Sequence, residues 1–286
     1  MVGEPVSFEK RQYKIADLVM ELEMDGPNIG FHAPRWKRWE PFRCTHQKPD
    51  VKCKLTEKRT PFANGIGPHQ PARMDRSSPK KRLQYRGWEL SWEQENDFVG
   101  LVRREFEDSV LRAVFAKCLF EKKTGFLLHA SAIATKQGAF VLSAESTTGK
   151  TTAVKNRPPN TALLSDDTIS IWTEDGRAWA AGTPFGGDLP PSPNRHGLAR
   201  IIFLKQGDSN RLVSLETGKA VVNFMQNMTM RFVDQATMQK AMEVLVGFLP
   251  QYAPAIVFAT RDGSFWSELI FEKHRKNRSL ECCPNG

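Results

Sequence analysis

The sequence predicts an α/β domain behind a β-rich N-terminal region, and three observations carry that reading. Residues 13 to 56 hold stretches in which apolar and polar residues nearly alternate, as in half-buried strands. From Asp97 to Phe120 the spacing changes to steps of three and four (Phe98, Leu101, Val102, Phe106, Val110, Val114), which predicts one long helix with an apolar face. Beyond Phe126, short apolar runs alternate with helix-length segments, the order that builds a mixed sheet covered by helices.

Tyr13 to Leu22 and Val51 to Leu55 are the strand candidates of the first region. Residues 57 to 82 are rich in Pro, Gly, Ser and basic residues, with Asn64-Gly65, Gly67-Pro68 and Ser78-Pro79 as turn markers, and read as a flexible basic loop. Strand character returns from Leu83 to Trp92, and Asn96 or Asp97 is placed to cap the long helix. Strands are then expected at 126–135, 139–143, 162–164, 168–172, 199–204 and 255–258, and helices at 217–227, 235–249 and about 263–273. The division that follows is a β-rich region over 1–93, a second domain over 94–274 and a tail over 275–286.

The 286 residues suffice for one large domain or a large and a small one. No run approaches the ~18 consecutive apolar residues of a membrane span. The N-terminus lacks the apolar stretch of a secretion signal, so the cytoplasm is the expected location. The formal charge is +9, with the excess gathered in Arg35-Trp36-Lys37-Arg38, in Arg73 to Arg82 and in Lys273 to Arg278. Each reads as a solvated surface or tail, and no nucleic-acid-binding signature accompanies them. Five cysteines (Cys44, Cys53, Cys118, Cys282, Cys283) are too scattered for a disulfide framework. The run Cys44-x-His46-x6-Cys53 lacks the paired knuckle of a zinc module, which leaves reduced thiols.

Ala139 to Ser143 form an apolar strand, Ala144 to Thr148 a loop, and Gly149-Lys150-Thr151-Thr152 open a helix that Arg157-Pro158-Pro159 must end. Such a strand–loop–helix unit holds phosphate. Backbone N–H groups and hydroxyls of Ser146, Thr147, Thr148, Gly149 and Thr152 face the anion, Lys150 adds a positive charge, and Thr151 offers a hydroxyl to Mg²⁺. The pattern G-x4-G-K-[ST] is broken at its first position by Ala144, which fits at negative φ and costs about 1 kcal/mol or more at positive φ. Asp166-Asp167 follow the next short strand. Beside a phosphate loop, one carboxylate can ligate metal and the other can accept a hydroxyl proton, although an isolated Asp-Asp also suits a polar turn. His129 lies on the strand preceding the loop strand, within reach of both.

Leu128-His-Ala-Ser-Ala132, Ser143 to Thr152 and Leu164-Ser-Asp-Asp167, in that order and spacing, resemble the HPr kinase/phosphorylase family. Its relatives include kinases of lasso-peptide precursors, and phosphoenolpyruvate carboxykinase shares the wider nucleotide-binding fold. The segments 182–186 and 198–204 also look like the family, so the likeness covers about 125–260 and, more loosely, 13–18. The resemblance implies a phosphoenolpyruvate-carboxykinase-like P-loop core and a cytoplasmic kinase using ATP and Mg²⁺. Its acceptor would be a hydroxyl, serine above all, of a peptide, protein or small molecule, and a homo-oligomer is possible because HPr kinases assemble. Lys150 would hold phosphates, Thr151 and Asp166 would serve the metal, Asp167 would accept the proton, and His129 would stand beside the transferring group.

The family's acidic ligand in a Glu-Arg-Gly setting has no clear match; Asp188 is a weak stand-in and Arg195 a weak candidate for a phosphate contact, and both read better as ordinary loop residues. Phosphorylase activity and the HPr protein as substrate are therefore not expected. The alternative left open is a catalytically silent nucleotide-binding regulator or scaffold, to which Ala144 and the missing ligand belong. A nucleic-acid-binding protein rests on charge alone.

Overall fold

The computed structural model describes residues 9–26, 29, 31, 34–58, 73–75, 81–145, 147–229 and 235–270. The first half is one mixed sheet. Its strands are β1 (Glu9–Ile15), β2 (Leu18–Asp25), β3 (Arg43–Cys44), β4 (Val51–Glu57), β5 (Arg73–Asp75), β6 (Lys81–Tyr85), β7 (Trp88–Trp92) and β8 (Asp97–Val102), in the spatial order β3-β1-β2-β4-β8-β7-β6-β5. Ala16 and Asp17, both at positive φ, make the tight turn between β1 and β2. The pairs β2–β4 and β4–β8 are parallel and the rest antiparallel.

The long helix expected from Asp97 is corrected at its start. Asp97–Val102 is a strand with strictly alternating burial, Phe98, Gly100 and Val102 in and Asp97, Val99 and Leu101 out. Phe98, Leu101 and Val102 fit helical spacing as well as the edge of an alternating run, and pairing with β4 and β7 decides for the strand. The helix, α1 (Glu107–Lys123), begins ten residues later; neither Asn96 nor Asp97 caps it. Of the basic stretch 57–82, most lies outside the described residues, while residues 73–75 and 81–82 are strand rather than loop. The tail 275–286 and Ser146 also lie outside them.

The second half contains β9 (Phe126–Thr135), β10 (Gly138–Ser143), α2 (Lys150–Lys155), β11 (Ala162–Ser165), β12 (Thr168–Glu174), β13 (Arg177–Gly182), β14 (His196–Gln206), β15 (Arg211–Ser214), α3 (Thr217–Asn227), α4 (Gln235–Phe248) and β16 (Ala255–Ala259). The sheet order is β10-β9-β12-β13-β14-β16-β15, with β11 on β9 and a further parallel pairing of β10 with β14. Residues 265–270 are helical. The chain is thus mixed α/β, with two mixed sheets. Among the described residues no helix is long and apolar enough to cross a membrane.

The helix α1 joins the halves. Its buried Val110, Leu111, Val114, Phe115 and Leu119 share one core with Leu22, Leu55 and Trp88 of the first sheet and with Leu127, Trp172 and Phe185 of the second half. A second core lies between the second sheet and α3 and α4, around Phe126, Phe224 and Leu245. A third places Ala144, Val154 and Trp266 together beneath the loop after β10.

Arg195 belongs to this scaffold. It bonds Asp17 of the first hairpin at 2.8 Å and Glu174 at 2.6 Å, and its guanidinium lies 4.4 Å from the Trp179 ring centroid.

Phe115 is fully buried, with its ring centroid 5.6 Å from that of Phe185. Phe115→Ala is expected to lower stability by about 3–5 kcal/mol through lost burial and the cavity left behind. Urea denaturation checks this; a loss below about 1 kcal/mol would contradict the shared core.

Candidate functional site

The register of β9 assembles the site. Its residues Ala130 to Thr135 pair with β10, ending at Ala130↔Ser143, while His129 pairs with Thr168 of β12. His129 therefore stands where the loop after Ser143 begins and next to Asp167, whose backbone carbonyl accepts the Ala130 N–H at 2.9 Å. The Ser143 hydroxyl donates to the His129 carbonyl at 3.4 Å, and that of Ser131 to the Asp166 carbonyl at 2.8 Å.

In the loop, Thr147 and Gly149 take positive φ, 69° and 106°, and Ala144 is not among the residues that do, so the absent first glycine imposes no left-handed strain. A Cβ at Gly149 would meet nothing within 4 Å, which leaves the loop face open. Lys150 is 6% exposed, and its ammonium donates to the carbonyls of Ala144 at 2.7 Å and Glu145 at 2.9 Å. Burial pulls its pKa down, and the charge of Asp167 partly restores it.

The two aspartates do different work. Asp166 is 3% exposed, and its carboxylate accepts the N–H of Asp188 at 3.0 Å and of Leu189 at 3.3 Å, which anchors the segment after β13. Asp188 thus reaches the site through its backbone. Asp167 receives the Thr168 hydroxyl at 2.8 Å, faces His129 Nδ1 at 3.3 Å and lies 3.6 Å from Arg112. Burial raises the Asp167 pKa, but the hydrogen bonds from His129 and Thr168 and the charge of Arg112 outweigh it and hold the carboxyl at about 2.

Two features of this site were not singled out from the sequence. Arg112, on α1, donates to Thr168 Oγ1 at 3.0 Å and to Asp108 at 2.9 Å, with its guanidinium 5.8 Å from the centre of the Phe185 ring. Asp108 and Arg112 are four apart on one helix face, a visible pair, but nothing local ties them to Asp167. Gly186 and Gly187 turn at φ 66° and 85°, and a Cβ would collide with the carboxylate of Asp167 at the first and of Asp166 at the second. The glycine pair was readable as a turn; its partners were not. The basic run at 35–38, expected as a solvated face, is corrected: Trp36 is 2% exposed, Arg35 pairs with the buried Glu107, and Arg38 donates to the Leu189 carbonyl at 2.8 Å.

Two cavities meet at His129 and Asp167. One, about 370 Å³, is lined also by Gly149, Lys150, Thr151, Thr152 and Asp166. The other, about 740 Å³, carries Glu105, Asp108, Arg112, Glu145 and Thr229. A third of about 150 Å³ shares Thr147, Gly149 and Thr152 with the first and adjoins Gln206 and Thr260. Among the described residues no group of three or more His, Cys, Asp or Glu is placed to hold a metal ion. No family model and no curated protein matches the chain.

An unfolded aspartate titrates near 3.9, so the depressed Asp167 carboxyl adds stability that is complete above about pH 5 and is lost as pH falls toward 2. Asp167→Asn should make the decline in unfolding free energy between those limits shallower by about 2 kcal/mol. An unchanged decline in urea titrations across that range would show that the partners of Asp167 do not hold its charge.

Proposed function

We propose that the chain is an ATP-dependent kinase of the HPr-kinase-like type, with a P-loop core of the phosphoenolpyruvate-carboxykinase kind, that phosphorylates a hydroxyl. The observation that carries this reading is the meeting of Lys150, Thr151, His129 and Asp167 around two adjoining cavities. In this reading the smaller one takes the triphosphate. Lys150 swings from the loop carbonyls to the phosphates, where a polyanion compensates its burial better than two carbonyls do. The nucleoside lies across the loop, against Gln206 and Thr260.

The donor set suits Mg²⁺, which binds few protein oxygens and keeps phosphate and water ligands. Thr151 and Asp166 would hold it, and it would neutralise charge on the phosphates. The acceptor enters the larger cleft, which carries four carboxylates (Glu105, Asp108, Glu145, Asp167) against one guanidinium, so a neutral or cationic hydroxyl compound is favoured over an anionic one. Asp167, with its pKa near 2, orients the hydroxyl and takes its proton late, which suffices where the transition state is loose. His129 holds Asp167 and stands where the phosphoryl group passes.

The second reading, a nucleotide-binding regulator or scaffold without turnover, draws on Asp166, whose carboxylate is already engaged by two backbone N–H groups. Incubation with Mg²⁺ and γ-labelled ATP separates the two. The kinase reading expects label in an acceptor or slow ATP hydrolysis. Asp167→Asn should lower the rate by about 10²–10⁴-fold while nucleotide affinity stays within a few-fold, and Lys150→Met should weaken affinity itself. Tight ATP binding with no turnover on any acceptor would favour the regulator; absence of ATP binding sinks both.

A further inference from the structure

A pocket of about 180 Å³ lies where the first half of the chain meets α1 and the Gly186-Gly187 turn. Trp36, Trp39, Leu111 and Pro184 give it apolar walls, and Arg38 and Glu107 give it charge. Arg38 Nη1 is used by the Leu189 carbonyl, whereas its Nε and Nη2 are buried without a hydrogen-bond partner. These two N–H groups share one edge of the guanidinium plane, the edge that receives a carboxylate in a two-pronged bond. Glu107 is 1% exposed; one oxygen pairs with Arg35, and the other, Oε1, is buried and unpartnered. Arg38 and Glu107 line the same pocket yet form no ion pair with each other.

Buried charged groups left unsatisfied are costly, so both call for a partner inside the pocket. The unmet needs are opposite: an acceptor for Arg38, and for Arg35 Nε, which is likewise buried without a partner, and N–H donors for Glu107. Two guanidiniums (Arg35, Arg38) and two carboxylates (Glu107, Asp108) line the pocket, so it favours neither a net anion nor a net cation. Its volume suits a compact molecule rather than a nucleotide or peptide.

We propose that this pocket binds a small zwitterion of the α-amino acid type, with its carboxylate on the Nε–Nη2 edge of Arg38, its ammonium on Glu107 Oε1 and its side chain against the tryptophans. The binding is independent of phosphoryl transfer. It bears on the site described above through Gly187, where an added Cβ would meet Arg38 Nη2 at 3.0 Å and collide with Asp166. A carboxylate on Arg38 therefore braces the turn that covers the aspartate pair.

Isothermal titration of the full chain with glycine, L-alanine and L-serine tests this, against acetate and ethylamine as half-ligands. Saturable micromolar-to-millimolar binding is expected for at least one amino acid, with each half-ligand weaker by about tenfold or more. Glu107→Gln risks the fold because of the Arg35 pair, so Arg38→Lys is the informative variant: it keeps the charge, removes the fork and should weaken binding by about tenfold or more. Circular dichroism verifies that this variant is folded. The proposal is overturned if no amino acid binds, if acetate or ethylamine binds as well, or if Arg38→Lys binds like the unaltered chain.

Discussion

The strand β9 hydrogen-bonds to β12 up to His129 and to β10 from Ala130 onward, and this changeover is the constraint on which the rest of the site depends. It sets the start of the loop after Ser143 on one side of His129 and the aspartate pair on the other. A shift by one residue would exchange His129 for Leu128 or Ala130, both fully buried, and turn the imidazole into the core. Burial on both faces makes such a slip costly, so the position of His129 is protected by the apolar residues around it rather than by its own contacts.

Around that frame, desolvation and pairing are set against each other. Burial lowers the pKa of Lys150, which disfavours its charge, whereas the donors around the half-buried Asp167 lower its pKa and keep it charged. The Asp167 carboxylate is thus held ionised in a partly dry space, where a charge acts more strongly than in water. Asp166 shows the contrasting case. The same residue type one position earlier accepts two backbone N–H groups and anchors the segment after β13.

The first sheet does more than lean on the second half. Through α1 it delivers Arg112 to Asp167, and through the 35–38 turn it clamps Glu107 and Leu189. The Asp pair is thus held from β9, from the Gly186-Gly187 turn and from α1 at once. The basic run at 35–38 departs from a solvated face because Trp36 and Trp39 bury into the shared core and carry their neighbours inward.

Local periodicity and turn chemistry by themselves determined much of the molecule. The strand at 126–135, the loop strand, the short helix ended by prolines and the helix at 217–227 stand where alternation, three-to-four spacing and chain breakers put them, and His129, Lys150 and Asp167 were legible as a set. Tertiary structure decided the rest. Phe98 to Val102 fits both periods, and only pairing with β4 and β7 makes it a strand. Arg112, the Gly186-Gly187 turn and the split between Asp166 and Asp167 depend on contacts between residues tens of positions apart, which spacing along the chain does not encode. Hydrophobic periodicity is a local quantity, whereas the partner of a buried charge is settled by which surfaces the sheets bring together.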